Sequence, residues 1–351
     1  MLRKITGPGI FRLFLALMVF VHHTTRLAIG SSCVYIFFCL SGFWIYTMYT
    51  GRYAATRQPY FTYAVSRMWR LLPTFWLVTV ITLLFLAQNG TLAASWRASS
   101  PLHFVLANSL IFGYSSLSIQ PIVPAWSLDM EMQFYVIAPL LVIFFSRRKA
   151  ATLWILFAIS AASLASFLLN NPLRLVDNLV YFSVGMAAAS ANWRPSGKLA
   201  LSSLAATTLL LAGVILTRWS GILLVGSHPG PLASYTGYAN AAIAFSMMPY
   251  AIFTTGQKGF AADGMFADLS YIVYLLHWVG AIWLGAHLGG TLHRLACMAL
   301  TWTIVIGLSY AIWKLYDHPI NRMRSRWVGK RKRPAAVPPR AADPVTIKAM
   351  A

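Results

Sequence analysis

Apolar runs about twenty residues long recur from one end of this 351-residue chain to the other, and no single water-soluble core of that size requires them. A helix needs roughly twenty apolar residues to cross the hydrocarbon of a bilayer. The runs read as helices at 10–29, 33–50, 71–88, 126–146, 151–169, 178–192, 199–217, 236–254, 267–286 and 294–314. The predicted fold is therefore all-α, a polytopic transmembrane bundle of about ten spans. One further block, 102–114, is short and bounded by Pro101 and a Ser/Pro stretch, and reads as an interfacial or re-entrant piece.

Charge sets the orientation. With ten spans and both termini cytoplasmic, the external segments carry Arg26, Arg97, Arg174, Arg218 and Arg294, and the rest of the 28 basic residues fall at or near the cytoplasmic side. That is the positive-inside pattern. The net charge of +21 is then explained by topology and contact with anionic membrane lipid, without a nucleic-acid partner. Residues 1–320 form the membrane domain, and 321–351, basic and poor in apolar residues, read as a disordered cytoplasmic tail. Arg3 and Lys4 before an apolar run, with Gly30, Ser31 and Ser32 after it, imitate a signal peptide. The polar face described next argues for an uncleaved first span instead. Cys33, Cys39 and Cys297 are odd in number and lack paired spacing, so neither a disulfide framework nor a metal site is expected.

Within the spans, a few polar residues need a reason to be there. Arg12 and His23 are eleven residues apart, three turns plus about 20°, so they share one helix face about 17 Å apart along the axis. Such a face suits the wall of a polar passage. His22 lies about 100° round and reads as packing or interfacial. Glu131 is the sole glutamate, and Ser127, Glu131 and Tyr135 form one stripe at spacing four. It is either an interfacial carboxylate beside an aromatic belt or a buried group that orients a histidine or binds substrate. Arg67 and Arg70 share a helix face at the cytoplasmic end, where they are either a clamp for phosphate oxygens or topology markers. Ser270, Tyr274 and His277 repeat the helical spacing late in the chain; His287 and His293 fall in a short external turn. None of these has the spacing of a metal site.

Taken together, the motifs resemble the acyltransferase-3 family of bacterial integral membrane proteins, which acylate surface polysaccharides and other exported acceptors. Arg12-x10-His23 is similar to the family's first-helix signature, Phe37-Phe38-Cys39-Leu40-Ser41-Gly42-Phe43 to its FFxLSGF segment, and Arg67-x-x-Arg70 with Pro73 to its RxxR-(I/L)-x-P motif. Trp126-Ser127-Leu128 with Glu131 and Phe134-Tyr135 resembles WSLxxExxFY, and Ser270-Tyr271 through Tyr274-Leu275 to His277-Trp278 resembles SYxxYLxHW. Two departures stand out: Cys33-Val34-Tyr35 replaces the usual Gly-Val-Asp, and Asp317-His318-Pro319 replaces the closing Glu-x-Pro.

The resemblance implies an acyl-CoA-dependent O-acyltransferase of the bacterial inner membrane, with acetyl-CoA the commonest donor and a polysaccharide or lipid-linked glycan as acceptor, working beside a polysaccharide biosynthesis complex. It assigns His23 and Glu131 to catalysis, Arg12, Arg67 and Arg70 to the co-substrate, and Ser41, Trp126, Ser127, Tyr135, Tyr274 and His277 to substrate contacts, with no metal. His23 would act as general base on an acceptor hydroxyl or would itself carry the acyl group. A transporter or lipid-linked-sugar binder would use the same polar face without making a bond, and another membrane O-acyltransferase family also uses an intramembrane histidine. Motif order favours the first reading.

Overall fold

In the computed structural model, residues 7–88, 100–147, 149–168, 174–226, 229–287 and 291–333 are described, and among them there is no strand beyond two isolated antiparallel bridges. The helices are α1 (Pro8–Thr24), α2 (Gly30–Met48), α3 (Pro59–Gln88), α4 (Pro101–Leu110), α5 (Trp126–Arg147), α6 (Lys149–Leu168), α7 (Arg174–Ser190), α8 (Gly197–Ile215), α9 (Thr236–Thr255), α10 (Asp263–Ala286), α11 (Thr291–Ile312) and α12 (His318–Lys330). Each of the ten apolar blocks is one of these helices. Among the described residues six stretches are long and apolar enough to cross a membrane: Gly30–Tyr53, Pro59–Gln88, Val123–Ser146, Gly197–Ile215, Asp263–Ala286 and Leu292–Lys330. Pro8–Thr24, Leu153–Ser166 and Leu175–Ser190 are apolar but shorter. At ten residues α4 is about 15 Å long, too short to cross.

Two expectations are corrected. The third helix begins at Pro59, not near 71, so Arg67 and Arg70 lie two to three turns inside it rather than at its start. The supposed tail begins as α12, which continues α11 through a π-helical turn at Trp313–Asp317 and packs on α3. Arg324 turns toward α3, its Nη1 3.3 Å from the Ser66 hydroxyl, while Arg322 and Arg326 are exposed, and Trp327 lies tilted against Trp69 with ring centroids 5.9 Å apart; composition alone reads such a segment as disorder. The remainder of the tail, from 334 on, lies outside the described residues, as do Arg97 and Arg3.

Two devices hold the helices that build the site. The first turn of α1 leaves amides without intrahelical partners, and the carboxylate of Asp263, at the start of α10, takes two of them, Gly9 N at 3.0 Å and Ile10 N at 3.1 Å. This pins α1 against α10 along its length. Helices α2 and α7 meet through reciprocal glycines: a Cβ on Gly42 would overlap the Phe182 carbonyl, and one on Gly185 the Cys39 carbonyl. Apolar lipid gives helices no hydrophobic reason to associate, so close backbone approach at small residues supplies the packing. At the far end of α1, buried Asn240 of α9 accepts from Ser32 N and donates to the Ala28 carbonyl, fixing the turn into α2.

Candidate active site

The polar residues of α1, α2, α3, α5, α10 and α12 converge on one cavity of about 300 Å³. Four arginines line it, Arg12, Arg67, Arg70 and Arg324, against the carboxylates of Glu131 and Asp268. They are held differently. Arg70 pairs with Asp268 at 2.7 Å and with Asp317 at 3.6 Å, and Asp317 is itself fixed by Thr74 at 2.7 Å and Asn321 at 2.7 Å. Arg67, buried, donates to the Tyr53 hydroxyl at 2.8 Å, and Tyr53 shares Ser66 with Arg324. Tyr53 and Asp317 each sit on a π-helical turn, so one extra residue per turn aims each of them at an α3 arginine.

The paired clamp expected of Arg67 and Arg70 is therefore divided. Arg70 is neutralised by two aspartates, whereas Arg12, Arg67 and Arg324 each keep a buried Nε without a hydrogen-bond partner. Unpaired buried donors are costly, and a site that tolerates three of them fits an anionic guest such as a phosphorylated nucleotide. Arg324, Tyr53, Asp268 and Asp317 escaped the residue-level reading. Asp317 was visible only as the altered Glu-x-Pro motif, and Arg324 was hidden in what looked like a tail.

Glu131 accepts from Ser41 at 2.7 Å and from the Tyr135 hydroxyl at 2.5 Å, so the predicted stripe is real but orients no histidine. Among the described residues no histidine lines this cavity. The reason is geometric: α1 and α10 reach this cavity through Arg12 and Tyr274, whereas His23 lies about three turns beyond Arg12 and His277 about one turn beyond Tyr274. Of the other expected contacts, Ser41, Ser127, Tyr135 and Tyr274 line the cavity. Trp126 does not; it packs edge-on to Phe38, 6.3 Å between centroids. At the cavity's far end Ser127 and Tyr274 share a hydrogen bond of 2.7 Å, and Tyr274 also donates to the Pro124 carbonyl.

One helical turn beyond Tyr274 stands His277, fully buried, its Nδ1 3.2 Å from the Val273 carbonyl and its Nε2 without a partner. Its ring lies 6.0 Å from that of Tyr274 and 5.3 Å from that of His23. His23 is half-buried and opens on the other side, into a second cavity of about 520 Å³ lined with Thr25, Arg26, Gly226, Gly285 and Arg294. His22 turns away to a neighbouring hollow, its Nδ1 against the Leu27 carbonyl at 3.2 Å. Among the described residues no three His, Cys, Asp or Glu side chains gather as a metal site would require.

Compared with known proteins, the chain matches the family described as an acyltransferase domain over residues 6–314. No curated protein and no solved structure matches it.

Proposed function

The chain belongs to the acyltransferase-3 family, and from that premise we propose that it moves an acyl group, most simply acetyl, from cytoplasmic acyl-coenzyme A to a hydroxyl of an exported polysaccharide or lipid-linked glycan at the outer face of the bacterial inner membrane. The reading takes α1 to α3 and α5 to α11 as ten crossings with both termini inside. One observation carries it: α1 has an arginine-lined cavity at its Arg12 end and a histidine open to a separate cavity at its other end, with Tyr274 and His277 between.

Coenzyme A supplies an activated thioester at the end of a long thin arm. Arg12, Arg67 and Arg324 would hold its phosphates, and Arg70, locked by Asp268 and Asp317, would keep α3, α10 and the π turn in register around them. Glu131, Ser41 and Tyr135 line the path toward Tyr274. His23 takes the proton of the acceptor hydroxyl as its oxygen attacks the thioester carbonyl; the C–S bond breaks, and the proton goes on to the departing thiolate. In the alternative order His23 attacks first, releases the thiol and then passes the acyl group to the acceptor. A single-turnover experiment on purified protein with labelled acetyl-CoA and a glycan extract tests the reading. Label is expected in an ester on the glycan, with free thiol released in equal amount; accumulation of glycan or donor across a vesicle wall without ester would favour transport instead.

A further inference from the structure

We propose that the cavity around His23 binds an acceptor bearing a negative charge, an acidic sugar residue, through Arg26 and Arg294. The proposal rests on the acyltransferase reading for the word acceptor, but the anion site stands on its own observations. Few basic residues fall on the outer side in the ten-span threading, and two of them meet at this one cavity with His23. Among the described residues no carboxylate lines it or the adjoining hollow. The ion pairs among the described residues are both made by Arg70, so neither Arg26 nor Arg294 is neutralised.

Arg26 is also held in place before any guest arrives. Its loop is pinned by an antiparallel bridge between Leu27 and Leu224, with Val225 N donating to the Arg26 carbonyl at 2.9 Å and Ala28 N to the Leu223 carbonyl at 2.7 Å. Gly226 leaves its guanidinium room, since a Cβ there would lie 2.7 Å from Nη2. The wall from α10, Ala281, Leu284 and Gly285, is small or apolar, which suits the flat face of a sugar ring, and Thr24 and Thr25 add hydroxyls beside it. Arg26 and His23 line the same cavity, so a carboxylate on the guanidinium would bring the neighbouring hydroxyls of the same ring toward the imidazole. Guanidinium forks match carboxylate geometry, which gives both affinity and orientation.

Calorimetry on the full-length protein in neutral detergent, at one fixed salt concentration, tests this with trigalacturonate as the acidic probe and maltotriose as the neutral one. Trigalacturonate should bind at least tenfold more tightly than maltotriose. Arg26→Gln with Arg294→Gln should weaken it roughly ten- to a hundredfold, Arg26→Lys with Arg294→Lys should recover part of the loss, and the affinity for coenzyme A should stay the same in every variant. Equal binding of the two probes, or no response to the glutamines, overturns the proposal. Displacement of trigalacturonate by equimolar glycerophosphoglycerol would overturn it in favour of a lipid headgroup. A protein that binds the acidic probe through these arginines but not coenzyme A would keep the site and lose the acyltransferase reading.

Discussion

The imidazole of His277 stands 5.3 Å from that of His23, centroid to centroid, with its own Nδ1 facing a backbone carbonyl and its Nε2 buried and unpartnered. A hydrogen bond to the Val273 carbonyl needs the proton on Nδ1, which leaves Nε2 as a bare lone pair. Next to His23, that lone pair is suited to accept an N–H and hold the His23 ring in one tautomer. His277, expected to touch substrate, is thus placed to orient His23.

His23→Ala should abolish acyl transfer, a loss of at least a hundredfold for removal of a general base or nucleophile, while the protein stays inserted and monodisperse. His22→Ala should stay within a few-fold of wild type, because His22 faces a different hollow. His277→Leu should lower kcat while leaving the KM for acyl-CoA nearly unchanged, and His277→Gln, which keeps an acceptor, should recover part of the rate. Equal losses in His22 and His23 variants would show that the face of α1 was misread.

For the donor, the division of the arginines predicts different kinds of failure. Arg324→Ala and Arg67→Ala should each weaken coenzyme A binding by about 1.5 to 3 kcal/mol, the worth of a charge-assisted contact. Arg70→Ala should instead lower thermal stability, by about 3 kcal/mol, since Asp317 is 2% exposed and loses its cation. Calorimetric titration and thermal unfolding in detergent separate the two. A stable Arg70→Ala protein with lost coenzyme A affinity would restore the paired clamp.

Much of this arrangement was legible from periodicity. The apolar blocks marked ten helices, and spacing alone placed Ser127, Glu131 and Tyr135 on one stripe. What could not be read was anything that depends on which helix faces which. Glu131 reaches Ser41 across ninety residues of chain, Arg70 finds Asp317 from nearly 250 residues away, and no local pattern encodes either pairing. The π turns were invisible for a related reason: an extra residue in a turn leaves the hydrophobic pattern almost unchanged while rotating everything beyond it. Arg324 was lost because a charged amphipathic helix whose partner is another part of the chain has the composition of a disordered segment.

The glycine seam makes a stability prediction independent of function. Gly185→Ala places a methyl group against the Cys39 carbonyl, a backbone atom that cannot swing away, so α2 and α7 must separate. A loss of about 1 to 3 kcal/mol is expected for such overpacking, seen as a lower unfolding temperature. Gly213→Ala on α8 meets nothing within 4 Å and should be neutral or slightly stabilising, as helix propensity favours alanine.

The last prediction concerns sidedness. If α4 does not cross, the turn after α2 and the start of α8 lie inside, whereas the turn before α5 and the turn before α9 lie outside. Single cysteines at Ala54 and Lys198, and at Ser116 and Ser234, all exposed positions, can be placed in a background lacking Cys33, Cys39 and Cys297. An impermeant thiol reagent should label positions 116 and 234 on intact cells with the outer membrane permeabilised, and positions 54 and 198 only after the inner membrane is opened. Position 54 adjoins Tyr53, which holds Arg67, and position 234 borders the hollow beside His22 and Arg26, so these two report on the sides of the arginines and of His22 as well as on the span count. Labelling of 54 from outside would put the arginines and His23 on the wrong sides for a cytoplasmic donor, and transfer across the membrane within the protein would have to be abandoned.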